Sequence, residues 1–425
     1  MGAAVLASPA GDAHANGRFP ESNALFFAPS DPDYLLLRVS FGAIVSRNHG
    51  RTWGWVCERV VGTSGTEDPM YAITPNGTAI GATSQGLAIS HDKECSFAFT
   101  GGELDKRVFI DLTQRPFDKK SVVSFTSSYD KTGDGGVIFF KSQLYETLDE
   151  GQSWQQLGPL FDPTLLGETV DVTATDPDRI YVSAVRDAGV NPKAVVLVSR
   201  DRGKSYEESP IQLENGERAA YIAGVDPTNA DRIYIRTENG VDAPSRLLVS
   251  EDGAKTFRLI FTANGPLRGF ALSADGQKIY AGSPRDGVNI ASVTDFAFHA
   301  GAKIPVQCLA TSPDGVWACA SEPAFILGLS KDDGMTFESK LHFCEIAGPL
   351  ECPADSPTSR DCPILWPAQR DTLGCNLDAG DDAGTGAAPP PSSNCGCRIP
   401  ASSPWGPVAT GVVALLGLAV LRRRK

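Results

Sequence analysis

Five histidines in 425 residues, with no GxSxG elbow, no HExxH pair and no phosphate-binding glycine loop, leave this chain without the usual marks of serine, zinc or nucleotide chemistry. Positive charge is scarce as well. Lys and Arg total 38 against 51 Asp and Glu, a net charge of −13, so the basic face that releases phosphate counterions is missing and nucleic acid is excluded as a partner. No amphipathic helical pattern of useful length occurs between residues 20 and 340. The ten cysteines lack CxxC spacing, and His342 is the only imidazole near the C-terminal group of four, which argues against a zinc site. Neither the DKTGDGG stretch nor Asp378, Asp381 and Asp382 has complete EF-hand spacing, so no metal and no cofactor is assigned.

What the chain does have is repetition. An eight-residue segment begins at Ser46 (SRNHGRTW), Ser90 (SHDKECSF), Thr147 (TLDEGQSW), Ser199 (SRDRGKSY), Ser250 (SEDGAKTF) and Ser330 (SKDDGMTF). Its pattern is S/T-x-D/N-x-G-x-S/T-aromatic, with Glu94 and Ala254 in the glycine place of two copies. Asp or Asn opens a tight turn by accepting nearby backbone N–H groups, and glycine supplies a left-handed residue. The aromatics Trp53, Trp154, Tyr206, Phe257 and Phe337 are expected to return to an apolar layer and be mostly buried. The pattern resembles the Asp-box, or bacterial neuraminidase repeat, of β-propellers, and the resemblance implies a structural turn and no particular ligand.

A second repeat runs in step with the first: an apolar run, a Pro/Asp/Asn/Gly turn, then a β-rich run, as in VTATDPDRIYVSAV and FALSADGQKIYAG. Seven such units occur, and the missing box falls at Asn289 to Phe298, which keeps Ser292, Asp295 and Phe296. The expectation is an all-β chain with a single seven-bladed β-propeller of four-stranded antiparallel blades over residues 20–341. Turns of a meander alternate between the two faces of the disc. The boxes therefore share one face with the A–B turns, and the B–C loops lie on the other.

Three B–C loops are long: Ser127 to Gly136, Arg186 to Ala194 and Thr237 to Arg246. Loops raised on a rigid scaffold are where recognition residues concentrate. Asp130, Asp134, Arg186, Asp187, Asn191, Lys193, Asn239, Asp242 and Arg246 are thus the candidate ligand-binding residues, with charges of both signs and amides suited to a glycan or a peptide. No catalytic residue is assigned.

After the propeller a Cys-rich loop segment (342–375) and a flexible Gly/Ala/Pro/Asp linker (376–404) are expected. Cys308 and Cys319 stand equidistant from the SPDG turn, opposite each other across a hairpin, and are expected to bridge. Cys57 and Cys95 are the only candidates in the early blades, and Cys344, Cys352, Cys362 and Cys375 suggest two bridges stapling a small cap.

Residues 405–421 form a charge-free apolar run, followed by RRRK, that reads as a transmembrane helix with a cytoplasmic basic end. Spacer, cysteines, short apolar helix and terminal arginines resemble the MYXO-CTERM sorting tail. That resemblance implies export, a sorting protease acting near Cys395 or Cys397, and display at the cell surface; a plain membrane anchor shares the topology. Residues 1–15 end in Ala13-His14-Ala15, similar to a signal-peptidase site, and read as the remnant of a signal peptide.

Asp-box propellers include sialidases, whose early F/Y-R-I-P arginine has no counterpart here, since the sole RIP is Arg398-Ile399-Pro400 beside the apolar tail. The expectation is a surface-displayed binding or scaffold propeller for an extracellular glycan or protein, with a divergent, sialidase-like glycoside hydrolase as the alternative.

Overall fold

The computed structural model describes residues 19–63, 67–189, 191–214, 216–240 and 243–375. Seven four-stranded antiparallel sheets follow one another along the chain, each made of four consecutive strands. We number them blades 1 to 7 and letter their strands A to D from the centre outward. The A strands touch their neighbours around the ring, and that of blade 1 (Ser22–Ala28) meets that of blade 7 (Val306–Ser312). Among the described residues no strand is shared across this seam. It is closed by side chains, with the Ser22 hydroxyl donating to the Ile326 carbonyl at 2.5 Å and Phe27 lying against Trp317.

Each box is the C–D turn of its blade. In blade 3 the Thr147 hydroxyl accepts from the Gly151 N–H (2.9 Å) and donates to Asp149 (2.8 Å). The Asp149 carboxylate in turn takes the backbone N–H (2.9 Å) and hydroxyl (2.6 Å) of Ser153. The same net recurs around Asp92, Asp201, Asp252 and Asp332. These donors hold the carboxyls of Asp201, Asp252 and Asp332 down to about 2. A carboxylate so saturated serves the turn and has little left for a ligand. Blade 6 makes its turn without the motif, bonding Phe296 N–H to the Ser292 carbonyl and Ala297 N–H to Asp295.

The box aromatics are mostly buried, as expected: Trp53 fully, and Trp154, Tyr206, Phe257 and Phe337 in large part, each packed against an apolar cluster drawn from two neighbouring blades. Trp53 differs because a C-terminal strap lies over it. Replacing Trp53 by Ala is expected to cost ~3–5 kcal/mol, and Trp154 by Ala about half as much, since less of its ring is packed. Urea midpoints of the two variants check this.

Two expectations need correction. The span contains a single helical turn, Glu58–Val61, in the connection leaving blade 1, too short to show as a periodic pattern. The second correction concerns the segment after blade 7, which is a strap and not a loop-rich cap. Its residues 347–350 run parallel to strand D of blade 1 (Gly54–Cys57): Ala347 N–H bonds the Trp53 carbonyl, Trp55 N–H the Gly348 carbonyl and Leu350 N–H the Trp55 carbonyl. A helix, Pro357–Thr372, follows, capped by the Ser356 hydroxyl with proline at its start.

The expected pair Cys308–Cys319 is present, with its Cα atoms 4.7 Å apart in cross-strand register. Cys344–Cys375 closes a loop within the strap. The other two bridges are Cys57–Cys362 and Cys95–Cys352, so blades 1 and 2 are tied to the strap and the second cap staple does not exist. Among the described residues no helix is long and apolar enough to cross a membrane. The 1–15 segment, the 376–404 linker, Cys395, Cys397 and the 405–421 run lie outside the described residues.

Candidate functional site

The three long loops stand where the strand order requires, on the face opposite the boxes. In blade 3 strands Val122–Thr132 and Ile138–Thr147 extend beyond the sheet and turn at Asp134–Gly136. The loops of blades 3 and 4 meet: a Cβ added at Gly189 would fall 2.6 Å from Ile138 Cγ1 and 2.8 Å from the Gly136 carbonyl oxygen. The blade 5 loop leans instead on the connection from blade 4. There Arg246 pairs with Glu214 (2.9 Å) and Glu217 (2.5 Å), and Asn239 lies beside Gly216.

Most of the charges on this face have partners within the protein. Asp130 pairs with Lys141 at 2.7 Å, and Arg186 with Asp162 at 3.3 Å and with Glu208. Asp187 N–H bonds the Thr164 carbonyl, and the Asp187 carbonyl takes Asn191 N–H. Asp134, Asn191 and Lys193 are exposed, and Asp242 lies outside the described residues.

A cavity of about 400 Å³ opens at the centre of the ring, within the range of ligand pockets. It draws on blades 1 to 5, chiefly the inner strands Phe109–Gln114 of blade 3, Leu165–Val172 of blade 4 and Ala219–Val225 of blade 5. Its ionisable lining consists of Glu67, Asp68, Asp111, Glu168 and Asp171 against Arg38 and Arg236, with Tyr221 beside them. The D–A connection carrying Glu67 and Asp68 puts its mouth on the face away from the boxes.

Inner strands are sheet edges, and their outward N–H groups need acceptors. Side chains of the preceding blade supply them: Asp111 Oδ2 accepts Val170 N–H (2.8 Å) and Thr169 Oγ1 accepts Ile222 N–H (3.0 Å). Asp171 takes its own neighbour's Val172 N–H (2.8 Å) and the Thr113 hydroxyl (3.1 Å). Enclosure in the channel wall pushes the Asp171 carboxyl up to about 6 in spite of these two donors.

The two guanidinium groups are already engaged. Arg38 donates to Asn23 (2.6 Å) and to the carbonyls of Asp68 and Pro69, while Arg236 lies 4.9 Å over the Tyr221 ring and donates to the Leu267 carbonyl. Sequence reasoning looked to the long loops and missed this lining. The available signal was the pairing of Asp111 with Thr113 and of Thr169 with Asp171 at alternate positions of strands that otherwise read as apolar.

At the level of class, the chain is a seven-bladed β-propeller of four-stranded antiparallel blades. The family described as Sortilin-Vps10 (sortilin, neurotensin receptor 3) matches residues 85–275. A probable oligoxyloglucan-reducing end-specific xyloglucanase of Neosartorya fischeri is 31% identical over 167 residues, 34% of this chain and 19% of that protein. The chain thus spans about a fifth of the length of that relative. An ancestral GH74 enzyme superposes with a TM-score of 0.56 at 13% identity, over 76% of this chain and 46% of its own. A Hadza microbial sialidase superposes with a TM-score of 0.40 at 14% identity, over 68% and 71%. At such identities the structural likeness establishes the fold alone.

Proposed function

We propose that this protein is an exported propeller that binds a neutral glycan in the central cavity, the eight-residue turns acting as Asp-box staples of the opposite face. The observation that carries the reading is the lining: five carboxylates against two guanidinium groups, an acidic wall whose members are themselves held in place by partners within the protein. Carboxylates accept sugar hydroxyls strongly, and Tyr221 adds an aromatic edge. The same excess of negative charge repels an acidic sugar, so sialic acid is a poor fit. The likeness over 167 residues to a probable oligoxyloglucan-reducing end-specific xyloglucanase supports a glycan as the ligand.

A second reading, glycoside hydrolysis, is favoured by Asp171. A carboxyl held near 6 is about half protonated at pH 6 and can deliver that proton to a leaving oxygen, with Asp111 or Glu168 as the second carboxylate. Such activity would fall as pH rises through about 6.

A neutral-glycan array and a panel of fluorogenic glycosides test both. Asp171→Asn is expected to weaken binding of any hit about tenfold, and under the hydrolytic reading to abolish turnover while part of the binding survives. An array on which only sialylated glycans respond would falsify the neutral-ligand reading. Display at the cell surface through the MYXO-CTERM-like tail belongs to the same proposal. Deleting residues 405–425 is expected to move the protein from the membrane fraction to a soluble one.

A further inference from the structure

A second opening lies far from the ring centre, at the outer rim between blades 2 and 3. It has a volume of about 510 Å³ and is lined by Trp154, Tyr145, Gln152, Gln155, Gln156 and Glu103, among others. Its origin is local. Strand D of blade 2 is only two residues long, Ala98–Phe99, so the outer wall beside the blade 3 box is cut back.

Two box tryptophans show what this does. In blade 1 Trp53 is 3% exposed and its indole N–H donates to the Gly50 carbonyl at 3.0 Å. In blade 3 Trp154 occupies the same box position, is half-buried, and its indole N–H finds no acceptor among the described residues. The indole N–H is enclosed in the protein, so it is the ring of the half-buried Trp154 that borders the groove and can meet a ligand. The three glutamines around it are exposed and uncharged; Gln155 and Gln156 donate to Glu146 (3.0 Å) and to the Gly158 carbonyl (2.8 Å), and their amide oxygens are acceptors, as is that of Gln152.

We infer that this rim groove is a second ligand site, which takes a neutral sugar ring against Trp154, independently of the central cavity. A sugar presents an apolar C–H face to an aromatic and a ring of hydroxyls that are both donors and acceptors, matching an indole flanked by amides. Charge does not select the ligand, because Glu103 is the only carboxylate lining the groove and His91 already bonds the Thr78 hydroxyl. Strand addition by a peptide is poorly served, since a two-residue edge offers too few backbone partners.

The test is a titration of the ¹⁵N-labelled protein with cellohexaose, mannohexaose and a xyloglucan oligosaccharide, following the indole N–H signals of the six tryptophans. The Trp154 signal is identified by its loss in Trp154→Phe. It is expected to shift with at least one of these sugars. Gly101→Trp is expected to weaken that response about tenfold or more by filling the groove mouth. Residue 101 has no heavy atom within 4 Å of an added Cβ, so this variant folds where the removal of Trp154 could disturb packing.

Asp171→Asn is expected to leave the Trp154 response unchanged, which separates failure here from failure at the central cavity. No movement of the Trp154 signal with any of the three sugars overturns the inference, as does a response to decaproline alone. A sugar response that Asp171→Asn removes and Gly101→Trp does not would also overturn it, by assigning the shift to the centre of the ring.

Discussion

Replacing Cys57 and Cys95 together by alanine is expected to destabilise the propeller by ~5 kcal/mol or more, the largest loss of any surface-neutral change. The two bridges they form enclose 305 and 257 residues. In the chain-entropy account a single cross-link over such a span is worth ~5 kcal/mol. The second closes a shorter circuit once the first exists and adds somewhat less. Blade 1 and blade 7 share no strand among the described residues, so apart from side-chain packing and the strap's hydrogen bonds these bridges are what resists opening at the seam. The hairpin bridge Cys308–Cys319, separated by 11 residues, is worth ~3 kcal/mol on the same scale. Urea denaturation of the two double variants checks the ranking. Equal midpoints for Cys57→Ala/Cys95→Ala and Cys308→Ala/Cys319→Ala would show that the strap does not hold the ring.

The second large effect is expected at Glu94. This residue stands where the box calls for glycine, at φ 67°, with no exposed surface. Its Oε1 accepts the Tyr34 hydroxyl, while Oε2 has no partner among the described residues. Burial pushes the carboxyl up to about 7 from an ordinary 4.5, against the pull of Tyr34, Arg47 and Lys93 and with the help of Asp92.

A raised carboxyl means that the folded protein holds the proton more tightly than the unfolded chain does. Stability from this group is therefore complete below about 4.5 and is lost as pH climbs through about 7. Glu94→Gln keeps an acceptor for Tyr34 without the charge. It is expected to gain roughly 2–3 kcal/mol at pH 8 and almost nothing at pH 4, with the thermal midpoint of the wild type falling over the same interval. A wild-type midpoint that rises from pH 5 to pH 8, with Glu94→Gln no more stable, would overturn this assignment.

Both features mark the limit of what the sequence discloses. Blades were legible because their information is local: a box, a turn and four short alternating runs recur within about 45 residues, and each box net closes over four residues. The pairing of Cys57 with Cys362 is set by ring closure, which no local pattern encodes. The strap helix was hidden by Pro363 and Pro367, two residues that break the helical signal yet sit inside Pro357–Thr372.

The central cavity was hidden for a different reason. Alternation along a strand separates its two faces, but both faces of an inner strand are enclosed against neighbouring blades, and only its edge borders the channel. Asp111 and Asp171 therefore look like any polar residue of a half-exposed strand until the ring is assembled. The rim groove depends on something smaller still, a strand D that stops after Phe99.

The strap has a mechanical consequence. A pull applied at Cys375 passes through the Cys344 bridge to the end of blade 7, and through the helix and Cys362 to blade 1. The load thus reaches both sides of the seam together and through covalent bonds. Tension from a tether at this end draws the first and last blades toward a common point, whereas a plain chain end would peel blade 7 away strand by strand. With the bridges oxidised the ring bears force as a closed hoop, and with them reduced the load falls on side-chain packing at the seam and on the backbone hydrogen bonds of the strap.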